Sequence, residues 1–110
     1  MNLFFKLVAH EPVSCSLMEW ARWFEHRSDE NKETWQVAMT IIGEHEISTV
    51  FIGLNHQFVD GGHPLLFETM VFGPGDDDHQ QRYTTWYQAT AGHAQICHAL
   101  RNELEKRIHP

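Results

Sequence analysis

Four side chains suited to metal binding or proton transfer lie close together in this 110-residue sequence: His56, Asp60, His63 and Glu68. If two imidazoles and a carboxylate faced one point, they would form the two-His, one-carboxylate arrangement that holds non-haem iron or catalytic zinc, and His56, His63 and Glu68 are the set for that reading. No H-E-x-x-H helix accompanies them. Turn chemistry explains the same residues more simply, because Asp60 and Gly61 supply the unusual backbone angles and Pro64 holds His63 extended. The turn reading is adopted, and no metal or other cofactor is expected. Glu68 lies inside "LLFETMVF", where a buried carboxylate would titrate high and become a candidate acid or base. Solvent-facing placement is the commoner outcome for such a Glu, and His93, on an apolar helix stripe, reads as a satisfied core or rim histidine.

Other catalytic signatures are missing. There is no G-x-S-x-G, P-loop, dinucleotide-binding glycine set or kinase motif. Cys15 and Cys97 are far apart with no CxxC, and read as small apolar residues in a reduced, cytosolic protein. Non-enzymatic action is therefore expected. Tyr83 and Tyr87 lie at the start of a helix beside Arg82, and Trp23 sits off the centre of another helix's apolar stripe. Aromatics and an Arg so placed are candidate interface anchors.

The formal charge of −7 is concentrated, since residues 11 to 78 hold 13 acidic and 3 basic residues while the flanks are net positive. Such a surface repels phosphate backbones, so direct nucleic-acid binding is not expected. It serves solubility, or is offered to a basic partner such as the nucleic-acid groove of another protein. Asp76, Asp77 and Asp78, in the solvated stretch "GPGDDDHQ", join Trp23, Tyr83 and Tyr87 as candidate partner-binding residues; the stretch lacks a calcium-loop pattern. No apolar run approaches the roughly 20 residues that cross a bilayer, and no signal peptide is legible.

The elements that must position these residues fit one domain, 1–110. Ser16 and Glu19 form an S-x-x-E capping box, and Leu17, Trp20, Ala21 and Phe24 recur at helical spacing, predicting a helix over about 17–27. Thr85 and Gln88 form a second box. The stripe Trp86, Ala89, His93, Ile96, Cys97, Leu100 and Leu104 then predicts a long helix over about 86–107, with Lys106 and Arg107 at its negative end. Between the helices, alternation over 34–41 and β-branched runs at 47–54 and 65–73 read as three strands. Residues 1–13 fit either a fourth strand on the sheet edge or an arm packed across it, with 14–108 forming the body. The expected fold is α+β: an antiparallel meander of three to four strands packed on one face by two helices. Leu66, Met70 and Phe72 around Glu68 leave the second face partly apolar, a feature of self-association, such as a homodimer, or of a partner site.

Three segments, "ISTVFIGLNHQF", "PLLFETMVFG" and "RYTTWYQATAGH", together with "EWARWFE", resemble an uncharacterised family of small proteins from phages, prophages and bacterial genomes. Members carry a helix ending in W-x-x-W-F, then S-T-V-F-L-G-L-D-H, L-F-E-T-M-V-F-G and R-Y-S-T-W-E-E-A-x-A-G-H segments. The match spans about residues 19 to 93. Asn55 stands where an Asp is usual, which disfavours a metal site at that position, and Tyr87 and Gln88 replace paired Glu. The resemblance implies a phage or mobile-element accessory protein in the host cytoplasm. Its expected mode is protein-protein binding: a counter-defence, anti-CRISPR-like inhibitor blocking the basic surface of a host or phage partner, for example a Cas or other nucleic-acid-handling protein.

Overall fold

The computed structural model describes residues 2–55, 62–75 and 80–108. Strands β3 (Gln36–Ile42), β4 (His45–Phe51), β5 (Phe67–Phe72) and β6 (Gln80–Tyr83) form a four-stranded antiparallel sheet in sequential order. The long helix α2 (Trp86–Ile108) packs across one face and touches all four strands. The architecture is α+β, a meander backed by helix. β6 was not anticipated, because three of its four residues are polar and it is a short edge strand.

The N-terminal segment is neither an added edge strand nor a single arm. β1 (Phe5–Val8) and β2 (Glu11–Ser14) pair with each other in a two-stranded hairpin. Its two-residue loop, Ala9 and His10, takes positive φ at both positions, 48° and 70°, as the mirror-image hairpin turns require. The hairpin docks at the end of β4, where Phe5 N–H donates to Gly53 O at 2.8 Å and Asn55 N–H to Leu3 O at 2.9 Å. Gly53 has φ of 66°, and a Cβ there would lie 2.5 Å from Phe5 O, so only glycine lets the two chains approach. At the hairpin's tip the His10 ring stacks on Trp86, centroids 3.7 Å apart, tying the hairpin to the start of α2.

Helix α1 (Leu17–Glu25) starts where the Ser16 hydroxyl accepts from Glu19 N–H at 3.1 Å, and Lys6 of β1 holds the Glu19 carboxylate at 3.0 Å. It lies beside the hairpin and the end of β4 rather than across the sheet: Trp20 Nε1 donates to Ile52 O and Trp23 packs edge-on against Phe51. A 3-10 helix over Asp29–Thr34, capped by Ser28 and Asn31, ends on Thr34, which was expected to begin the first strand, and the strand starts at Gln36 instead. At the start of α2 the predicted box forms, with Gln88 N–H donating to Thr85 Oγ1 at 3.0 Å and Thr85 N–H to Gln88 Oε1 at 3.3 Å.

The core is two apolar clusters. One holds Phe51, Leu66, Phe67, Tyr83 and Ala89; the other holds Ile42, Ile47, Val71 and Cys97. Leu66 therefore belongs to the buried side and not, as expected, to the second face. Along β3 the pairing shifts between Gln36 and Ala38, so that Val37 is an extra residue in the ladder. This bulge inverts the alternation beyond it. Thr40 and Ile42 turn toward α2, while Met39 and Ile41 are exposed on the opposite face.

Candidate functional site

Between the two apolar clusters runs a chain of side-chain hydrogen bonds. Thr40 Oγ1 lies 2.8 Å from His93 Nε2 and Thr49 Oγ1 2.7 Å from His93 Nδ1; Thr49 and Thr69 hydroxyls are 2.5 Å apart, and Tyr83 OH is 3.1 Å from Thr69 Oγ1. Each strand contributes one member from its helix-facing row, and α2 contributes the imidazole. Burial pushes the His93 pKa below its ordinary value of 6.5. The neutral ring donates from one nitrogen and accepts at the other, so both neighbouring hydroxyls are satisfied. This is the satisfied core histidine that its place on the stripe suggested.

The chain also fixes register. Thr49 and Thr69 are directly paired across β4 and β5. A two-residue slip keeps the faces but sets Thr49 against Phe67 or Val71, leaving buried hydroxyls unpartnered. Gly92 belongs to the same arrangement, since a Cβ there would overlap the Tyr83 ring. The Thr49 to His93 spacing is that of a nucleophile and its base. Thr49 is nonetheless completely buried, with no approach for a substrate. The chain is an organising element of the core.

The candidate ligands and anchors scatter. His56 and Asp60 lie outside the described residues, His63 is exposed ahead of β5, and Glu68 stands on the sheet face away from α2, where its carboxylate accepts from Gln80 Nε2. Among the described residues no group of three or more His, Cys, Asp or Glu side chains is placed to hold a metal ion. Asp76, Asp77 and Asp78 lie outside the described residues. Tyr83 is only 7% exposed, its ring sealed under α2, so it is not presented to a partner. Trp23 is half-buried and its Nε1 is committed to Thr34 O at 3.1 Å. Of these aromatics Tyr87 alone offers its ring to solvent, at 82% exposure.

The surface with binding character is the sheet face opposite α2. Register places Ile41, Glu46 and Phe72 in one row, Met39, Ser48, Met70 and Gln80 in the next, and Val50, Glu68 and Arg82 in a third. Ile41 is 58% and Phe72 47% exposed, with Met39 and Met70 exposed beside them. Four large apolar side chains thus stand together in water, bordered by two carboxylates and one guanidinium. Met70 and Phe72 are legible by alternation. Met39 and Ile41 read from sequence as one apolar row with Trp35 and Val37, alternating with Thr34, Gln36, Ala38 and Thr40; the Val37 bulge, which nothing in the sequence announces, instead leaves Met39 and Ile41 exposed on the open face.

No protein-family model, curated protein or solved structure matches this chain. Among the described residues no helix is long and apolar enough to cross a membrane.

Proposed function

We propose that this protein acts by binding another protein through the open face of its sheet, and that the partner surface is basic. The observation that carries the reading is the contiguous exposure of Met39, Ile41, Met70 and Phe72 on one face. Four strands spaced about 4.8 Å apart and about 20 Å long give a face of roughly 400 Å², shared by these four side chains and the polar residues around them, in the range of the largest surface patches of folded monomers, which are often functional. A standard interface buries about 800 Å² per partner, so an occupant must reach beyond the sheet. The surrounding chain is acidic, with Glu46 and Glu68 on the face itself and 13 acidic against 3 basic residues over 11 to 78. Lys and Arg on the partner complement that border and speed encounter.

The likeness of residues 19 to 93 to small phage and prophage proteins favours a mobile-element accessory role in the host cytoplasm. A counter-defence inhibitor that covers the nucleic-acid groove of a Cas or similar protein is the specific form of this reading. The test is affinity capture from bacterial lysate at low and moderate salt with four baits: wild type, Ile41→Asp, Phe72→Asp, and the triple change of Asp76, Asp77 and Asp78 to Asn. The expected result is one basic nucleic-acid-handling protein, held by wild type, released by salt and lost with either face variant. Retention by both face variants overturns the proposal. Concentration-dependent dimerisation of wild type that Phe72→Asp abolishes would replace the foreign partner with a second copy.

A further inference from the structure

The two edges of the four-stranded sheet differ in how they meet water. β6 is four residues long, three of them polar, and carries Arg82; a short charged edge strand resists pairing with another chain. β3, at the other edge, is seven residues long, "QVAMTII", with no charge and no proline. Its bulge at Val37 lies near the start, and residues 38–42 pair regularly with β4. Ile42 and His45 flank a two-residue turn that opens on Gly43 at φ of 61°, so they exchange hydrogen bonds, and alternation gives Thr40 with Ile47 and Ala38 with Thr49 the same pairing. The N–H and C=O groups of Met39 and Ile41 consequently point outward, away from β4. Among the described residues no backbone group from outside the sheet pairs with them. Helix α2 does not overhang this edge: Ala38 and Thr40, on its side of the sheet, are half-buried, whereas Thr49 in the next strand is fully buried.

From this edge we infer that the chain pairs with a second copy of itself, β3 against β3 and antiparallel, about a two-fold axis at Thr40. The inference goes beyond the open-face reading and does not rest on it. The outward groups set the register. With Met39 opposite Ile41 of the second copy, and the reverse, their N–H and C=O groups are all used in four hydrogen bonds, and Thr40 faces its own counterpart. Such a contact is self-complementary, as a two-fold interface requires. The side chains favour a second copy as the occupant: Met39 and Ile41 meet across the junction on the open face, apolar against apolar, and no like charges are brought opposite each other. The two sheets then join as one of eight strands, with both α2 helices on one side and Met39, Ile41, Met70 and Phe72 of both copies on the other. Five paired residues per copy cover less than the roughly 800 Å² per partner of a standard interface, and each chain carries a formal charge of −7. The dimer is accordingly weak, with a dissociation constant on the order of 100 μM, and salt tightens it by screening the repulsion.

Sedimentation equilibrium of the full-length protein from about 20 μM to about 1 mM is expected to show a monomer passing into a dimer, more readily as salt is raised. Capture of a basic partner responds to salt in the opposite direction, so the two readings fail separately. Amide exchange reads the contact itself. The Met39 and Ile41 amides should exchange about fourfold more slowly at the higher concentration, following the dimer fraction, while the Thr40 amide, bonded to β4, should not change. Met39→Pro removes an outward N–H at a position where an edge strand accepts proline, and should weaken the dimer roughly 30-fold. Phe72→Asp, two strands in from the edge, should leave it within a few-fold of wild type. A monomer throughout the range overturns the inference. So does a dimer that leaves exchange at Met39 and Ile41 unchanged, or one lost in Phe72→Asp and kept in Met39→Pro. If circular dichroism shows Met39→Pro to be unfolded, exchange in the wild type decides alone. Exchange at Met39 and Ile41 slowed only by an added protein places a foreign strand at the edge and overturns the second copy.

Discussion

Gly92→Ala sets two effects of opposite sign against each other. In an unconstrained helix the change stabilises by about 1 kcal/mol, because alanine gives up less backbone entropy. Here the added methyl falls onto Cε1, Cζ and the hydroxyl of Tyr83, whose ring is buried between α2 and β5 and whose OH reaches Thr69 at 3.1 Å. Overpacking of this kind costs about 1–3 kcal/mol, and displacing the phenol from Thr69 forfeits about 1 more. The net expectation is destabilisation by roughly 1–3 kcal/mol, equivalent to a drop of about 4–12 °C in melting temperature for a chain of this size. Urea unfolding monitored by tryptophan fluorescence reads the change directly, with a midpoint about 1 M lower. Tyr83→Leu, harmful alone, should cost less in the Gly92→Ala background, with a coupling of at least about 0.5 kcal/mol in a double-mutant cycle. A stabilised Gly92→Ala protein, or additivity in the cycle, refutes the close packing of α2 on Tyr83.

Four further outcomes are expected. His93 titrates below 6.5 in the folded chain and near 6.5 when unfolded, so the unfolded state binds more protons between those values. Stability is then complete above about pH 6.5 and declines as pH falls through the folded pKa, by up to about 1.4 kcal/mol per unit, and urea titrations at several pH values should show this slope flattened in His93→Gln. Thr49→Val leaves His93 Nδ1 buried without its partner and should cost about 1–3 kcal/mol in urea unfolding, more than Thr40→Val at the less buried end. Gly53→Ala must place a Cβ against Phe5 O at positive φ, and should both destabilise by about 2–4 kcal/mol and speed amide exchange at Phe5, the hairpin's docking bond. Phe72→Asp and Ile41→Asp, on the open face, should move the melting temperature by no more than a few degrees while raising solubility.

How far the fold could be read depended on where local rules and packing agreed. α2 was legible because Thr85 and Gln88 form their box in sequence and the stripe from Trp86 to Leu104 is unbroken by glycine except at 92. β5 was legible from "FETMVF". The hairpin was not, since its turn is Ala9 and His10 instead of the Asn-Gly or Asp-Gly that signal such turns, and β2 contains Pro12. The 3-10 segment was hidden by a cap whose third position is Asn31, not Glu. At the polar core, Thr49 and Thr69 passed as ordinary strand formers. Their only signal was position: each occupies a buried-row slot between large apolar residues, Ile47 and Phe51 or Phe67 and Val71. His45 stands in the polar run "GEHE" that joins β3 to β4, a turn pattern, and no local pattern shows that α2 returns, more than fifty residues later, to pass beside it.

The extra residue at Val37 makes the boundary between inside and outside along β3 a matter of counting. An in-frame loss of the Val37 codon would leave Gln36 opposite Val50 and Ala38 opposite Thr49 as they are now, so the ladder would become regular with Met39 and Ile41 still on the open face and Thr40 and Ile42 still toward the helix. The Thr40 hydroxyl would still meet the His93 imidazole, and the open face would keep its large apolar side chains. The bulge is thus a spare residue: a lineage could drop it in a single deletion and carry over the open face, the helices, the turns and the other three strands of the sheet intact.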